Sequence, residues 1–140
     1  MKRVLLLGGL LLPALGSCDT GLDTNDMVGE YVLQGTPAVL HPDHGRLEIR
    51  ADTLRLHGGG SATRVSLEAY ESESDSYAVL FVAEYRYSIR NGRVELEFMC
   101  PPNALCTPPP HIWGSPTSSG LILRHAIDPG VPLLYERTAG

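Results

Sequence analysis

At 140 residues with 43% apolar side chains, the chain is long enough to build one hydrophobic core and short for two. Sixteen acidic against eleven basic residues give a formal net charge of −5, which argues against nucleic acid or an anionic lipid surface as an electrostatic partner.

Lys2 and Arg3 open the chain, an apolar run follows over residues 4–12, and Pro13 breaks it before Ala14-Leu15-Gly16-Ser17-Cys18. That is the three-part order of a secretory leader. A bilayer-spanning helix takes roughly 20 apolar residues, so this run is too short for a permanent transmembrane segment. Leu15-Gly16-Ser17-Cys18 resembles the lipobox of bacterial lipoproteins, in which a branched apolar residue and two small ones precede the cysteine that receives a diacylglyceryl thioether. The resemblance implies a signal peptide over residues 1–17 and lipidation of Cys18, the one side chain there nucleophilic enough to take the lipid. Each buried methylene of an acyl chain contributes about 0.8 kcal/mol, and two or three chains together hold a protein durably on a membrane.

The expected location is therefore the cell envelope, anchored to the inner or outer membrane, with the domain in the periplasm or on the cell surface. Asp19 resembles the residue that retains lipoproteins in the inner membrane of enteric bacteria. Removing the leader removes Lys2, the sole lysine, and leaves nine arginines against sixteen acids, a charge of −7.

Residues 18–28 are short, polar and acidic, which suits a lipidated cysteine followed by a flexible tether. From Gly29 the dominant signal is alternation with period two, the pattern of strands with one wet face. Residues 30–34 and the short segment 38–40 come first. Arg46-Leu47-Glu48-Ile49-Arg50 and residues 53–57 alternate next, with Ala51-Asp52 read as a tight turn between them. Gly58-Gly59-Gly60 then lets the chain reverse.

Over residues 64–71, Val65, Leu67 and Ala69 alternate with Ser66 and Glu68, and the apolar set is expected inside. The acidic, serine-rich residues 71–76 read as an exposed loop. Residues 77–90 form the longest predicted strand, with Val79, Phe81, Ala83, Tyr85, Tyr87 and Ile89 on one face. Asn91-Gly92 supplies the two positive φ values of a type I′ turn, and residues 93–99 return. Residues 101–119, rich in proline, serine and glycine, read as a long irregular excursion. Residues 121–126 and 132–137 close the domain around a turn at Asp128-Pro129-Gly130.

About eight short antiparallel strands in meander order predict an all-β barrel over residues 29–140. Its first strand, Gly29-Glu30-Tyr31-Val32-Leu33, its last, Leu133-Leu134-Tyr135-Glu136-Arg137, and hairpins such as Asn91-Gly92-Arg93-Val94-Glu95-Leu96 resemble those of small lipocalin-like lipoproteins of bacteria. The resemblance implies a lipocalin-like fold and an envelope location. Tyr31 stands where lipocalins proper have tryptophan, and the only tryptophan, Trp113, lies in the late excursion.

Three cysteines suit an exported chain, one for lipid and Cys100 with Cys106 left as a disulfide pair. Two thiolates without the histidine spacing of a zinc site nearby make a poor zinc site. His41-Pro42-Asp43-His44 gathers metal-competent groups but has the spacing of a polar turn rather than of a known site. Ser115, Ser118 and Ser119 lack the Gly-x-Ser-x-Gly turn of a nucleophile elbow, and His111 and His125 stand in no catalytic motif with them. No catalytic residue, resident metal or cofactor is expected.

Phe81, Tyr85, Tyr87 and Phe98 either line a cavity for a small apolar ligand or fill the core. The excursion presents Ile112 and Trp113 as candidates for contact with another protein, or as a lid over one barrel end. The expected function is a non-enzymatic, membrane-anchored binding or interaction module of the envelope. A carrier of a small apolar ligand, an inhibitor of an exogenous hydrolase and a purely structural protein stand as alternatives.

Overall fold

Residues 22–139 are described by a computed structural model; the leader, Cys18 and the first part of the tether lie outside the described residues. Within them the chain forms nine strands: β1 (Gly29–Leu33), β2 (Ala38–His41), β3 (Gly45–Leu56), β4 (Ser61–Glu71), β5 (Ser76–Arg90), β6 (Arg93–Phe98), β7 (Ile112–Pro116), β8 (Gly120–His125) and β9 (Asp128–Arg137). Short 3-10 turns at Thr24–Met27 and Gly58–Gly60 complete it.

Strands β3 to β9 neighbour one another in chain order, and β1 lies between β9 and β3. Eight antiparallel strands thus close on themselves, as the alternation predicts. The ninth, β2, continues the line of β1 along β3: β1 pairs with its second half, up to Leu56 opposite Gly29, and β2 with its first half, down to Gly45 opposite His41. Inward-pointing side chains fill the middle, among them Tyr31, Ile49, Leu54, Tyr85, Val94, Leu96, Leu123 and Leu133. The Asn91-Gly92 turn has φ of 51° and 70°, the two left-handed residues that a type I′ hairpin needs.

Four expectations are corrected. No turn occurs at Ala51-Asp52; β3 is one strand of 12 residues with a bulge. Ile49 pairs with Glu68 and Ala51 with Leu67, so Arg50 is the extra residue. A bulge shifts the alternation by one, and so Leu47 and Ile49 before it and Asp52, Leu54 and Leu56 after it all point inward. The break in the pattern is this phase shift.

The second correction is to β4, whose faces are reversed. Ala62, Arg64, Ser66 and Glu68 are buried, while Val65 and Leu67 are exposed. The neighbours impose this: Asp52 of β3 and Phe81 of β5 both lie opposite Ser66, and Tyr85 lies opposite Ala62, so the inward faces of both flanking strands align with the even residues of β4.

Third, the excursion is not irregular throughout, because Ile112–Pro116 pairs with β6 and β8 as β7. Gly114 makes room for it, since a Cβ there would overlap the Ile122 carbonyl of β8. Fourth, the last turn is at Ala126-Ile127, and Asp128 already pairs with His125. Residues 129–132 bulge out before Leu133 rejoins β8 opposite Leu123.

The two barrel ends differ. At one end the Thr24–Met27 turn plugs the interior with the buried Met27, held by a 2.8 Å bond from the Tyr31 hydroxyl to the Met27 carbonyl. The Tyr87 hydroxyl, with one proton to donate, lies 2.8 Å from the Thr24 carbonyl and 3.0 Å from the His57 carbonyl, beside the same plug. The other end is ringed by the 42–44 loop, the 72–75 hairpin tip, the 99–111 loop and the 126–127 turn, and it is open.

Candidate functional site

The bulge in β3 and the reversed phase of β4 together place a charged cluster inside the barrel. Arg64 is buried; its Nε donates to Asp52 Oδ2 at 2.7 Å, and its Nη2 is in ion-pair contact with the same oxygen at 2.6 Å. The Tyr135 hydroxyl donates to that oxygen at 2.7 Å, while Asp52 Oδ1 is buried without a hydrogen bond among the described residues.

Arg64 Nη2 also lies 3.4 Å from Glu68 Oε1. Glu68 further accepts from the Ser66 hydroxyl at 2.9 Å and the Tyr70 hydroxyl at 2.8 Å. Burial pushes the Asp52 carboxyl above its ordinary pKa against the pull of Arg64. Burial and the bond to Glu68 push the Tyr70 hydroxyl up, and burial does the same to Tyr135 and Tyr85. One guanidinium thus serves two carboxylates and has no positive charge left over for a third.

His125, at the end of β8, is 4% exposed, and among the described residues neither ring nitrogen has a hydrogen-bond partner. Burial, and secondarily the charge of Arg64, lowers its pKa to about 3. Its ring is neutral at ordinary pH and offers one N–H donor and one acceptor. A buried polar group of this kind without a partner costs about 1–3 kcal/mol, so its survival calls for an explanation.

His125 borders a cavity of about 590 Å³ at the open end. Arg64, Glu68, Tyr70 and His125 form its polar part; Leu47, Phe81, Pro108, Pro109, Pro110 and Ile127 form its apolar part. The Arg64 guanidinium lies 5.9 Å from the centre of the Phe81 ring, at the border of the two. His41, Pro42, Asp43 and His44 make the rim. There the His44 ring meets the edge of Tyr70 at 5.5 Å, and Tyr70 stacks on Tyr77 at 5.1 Å.

Of the four aromatics singled out in the sequence, Phe81 alone lines this cavity. Tyr85 and Tyr87 are core residues, and Phe98 packs edge-on against Tyr85 at 6.0 Å. Cys100 and Cys106 are joined as a disulfide with Cα atoms 5.9 Å apart, at the base of the loop whose Pro108–Pro110 stretch walls the cavity. Ile112 and Trp113 do not form the lid expected of them, and the cavity wall at this end is the proline run instead. Ile112 instead points into the core at 2% exposure and presents no surface to a partner. Trp113 lies on the outer face of β7, stacked on His111 at 5.6 Å with the Arg93 guanidinium 5.3 Å from its ring.

The His41-Pro42-Asp43-His44 run is a turn, with the Asp43 amide donating to His41 Nδ1 at 3.1 Å. Among the described residues no three His, Cys, Asp or Glu side chains converge as metal ligands would. Ser118 and Ser119 lie in the β7–β8 turn at the plugged end, away from His125.

Asp52, Arg64, Glu68, Tyr135 and the pairing of His125 with the cavity escaped sequence reasoning. The available signal was the run Arg64-x-Ser66-x-Glu68-x-Tyr70, a strictly periodic polar face with the same period as the apolar one beside it. Against family models, curated proteins and solved structures alike, the chain finds no match, so the site is read from its own chemistry.

Proposed function

We propose that this protein is a lipid-anchored, non-enzymatic binding module of the cell envelope whose barrel takes one small amphiphile in its open end. The leader and the lipobox-like Leu15-Gly16-Ser17-Cys18 support the anchor and the location. No helix among the described residues is long and apolar enough to cross a membrane. The observation that carries the binding role is the buried, unpartnered His125 at a cavity of about 590 Å³, within the roughly 300–1,000 Å³ range of small-molecule sites.

The lining selects the ligand class. Phe81, Leu47 and the Pro108–Pro110 wall suit an apolar body, and neutral His125 suits a head group that both donates and accepts a hydrogen bond. A carboxylate head would meet Glu68 beside an Arg64 already engaged by Glu68 and Asp52, so an uncharged hydroxyl or amide head is favoured over an acid.

Thermal unfolding with added 1-decanol, decanamide or decanoate tests this, because a ligand that binds only the folded state raises Tm. The alcohol and the amide should stabilise the protein more than the acid, and His125→Leu should abolish the difference. No shift with any of the three, or a larger one with decanoate, would reject this reading.

A further inference from the structure

The longest strand overhangs the barrel. Strand β6 pairs only with the Tyr85–Arg90 half of β5, and beyond it, among the described residues, the sole backbone bond on that side is from the Met99 amide to the Glu84 carbonyl at 2.8 Å. Residues 77–83 pair with β4 on one side; among the described residues no backbone group bonds to their other side. This free edge reads Tyr-Ala-Val-Leu-Phe-Val-Ala, with no charge, proline or glycine. Folded proteins usually protect an exposed edge with lysine, proline or a bulge, and none of these is present.

The outer face of the same hairpin is apolar. Val65 lies opposite Val82, and Leu67 opposite Leu80. Leu80 and Val82 are 66% and 61% exposed.

We propose that this edge pairs with the same edge of a second copy, antiparallel about a twofold axis near Leu80. Any occupant must supply a row of backbone donors and acceptors, which a lipid surface cannot do. A second copy supplies them in matching number by symmetry. The seven uncharged residues bring no like charges together, and with the axis at Leu80 each copy's Glu84 faces the other's Ser76. The result is one continuous sheet running β4-β5-β5-β4, with the two outer apolar strips merged into one. Because the hairpin tip overhangs the open end, pairing leaves the plugged ends of the two barrels free.

Cysteine cross-linking of the full chain tests the register. Side chains directly opposite across an antiparallel pair have Cβ atoms about 5 Å apart, close to the reach of a disulfide. Under copper-phenanthroline oxidation, Leu80→Cys should give a disulfide-linked dimer. Leu40→Cys, at a site 71% exposed on β2, should remain monomeric. Absence of the Leu80→Cys dimer, or equal cross-linking at both sites, overturns the proposal.

Light scattering of the full chain in mild detergent is the second measurement, with Leu80→Lys as the variant because its side chain is outside the core. A dimer that becomes monomeric in Leu80→Lys supports the pairing. A wild-type monomer, a dimer indifferent to Leu80→Lys, or open-ended oligomers would each count against a closed twofold pair.

Discussion

The Tyr135 hydroxyl and Asp52 Oδ2 are 2.7 Å apart, and this bond ties the last strand to the third, two strands that share no backbone ladder. It is one of two hydrogen bonds donated to a single carboxylate oxygen, the other from Arg64, inside a barrel whose other inward residues are mostly apolar. Tyr135→Phe keeps the ring and removes the donor. It should lower unfolding stability by about 1–3 kcal/mol, measured by urea denaturation, because a buried carboxylate loses a partner.

Arg64→Met should be more damaging. It leaves Asp52 and Glu68 buried without their cation, a loss of about 3–5 kcal/mol by the same measurement, whereas replacing all three together by apolar residues should recover much of it. A single variant as stable as wild type would show that water reaches the cluster freely.

Acid should weaken the fold through His125. Its folded pKa of about 3 lies below the ordinary value of 6.5, so between those limits the unfolded chain binds the extra proton and stability falls as pH is lowered. Asp52, raised by burial, acts in the opposite sense just above its ordinary pKa, losing stability as pH rises. His125→Leu should flatten the decline between about pH 6 and pH 4, followed by unfolding free energies across that range. An unchanged slope would place the acid sensitivity elsewhere.

Gly120 is fixed by close approach rather than by backbone angle, since a Cβ there would overlap the Tyr135 carbonyl of β9. Gly120→Ala should destabilise by about 1–3 kcal/mol. Gly58→Ala, where a Cβ meets nothing, should change stability by less than about 0.5 kcal/mol. Comparing their melting curves checks the β8–β9 packing directly.

For the anchor, feeding cells an alkyne fatty acid should label the wild-type protein and leave Cys18→Ser unlabelled. Label retained by Cys18→Ser, or absent from both, would reject lipidation at this residue.

The barrel was readable from the sequence because one-sided burial writes period two into each strand, and the Asn91-Gly92 turn could be placed to the residue. The site was not. Its position depends on a phase shift at Arg50, which resembles a turn when read along one strand and becomes a bulge only when β4 is laid beside it. Likewise the apolar Val65 and Leu67 made the better inward face of β4 taken alone, and only Asp52, Phe81 and Tyr85 on the flanking strands turn Arg64 and Glu68 inward. Ile112-Trp113-Gly114 was hidden for a different reason: the prolines around it suggested loop, while Gly114 admits the close neighbour that makes it a strand. His125 could be named from the sequence but not placed, since nothing local specifies that its ring nitrogens will lack partners.

Strand β1, seated between β3 and β9, gives the barrel a seam with a built-in delay. The Thr138 amide reaches the Glu30 carbonyl across 108 residues of chain. Ribosomes add roughly 5–20 residues per second, so β1 is made about 5–20 s before the strand that completes it. A chain truncated before β9 would keep two unpaired sheet borders, at β1 and β8.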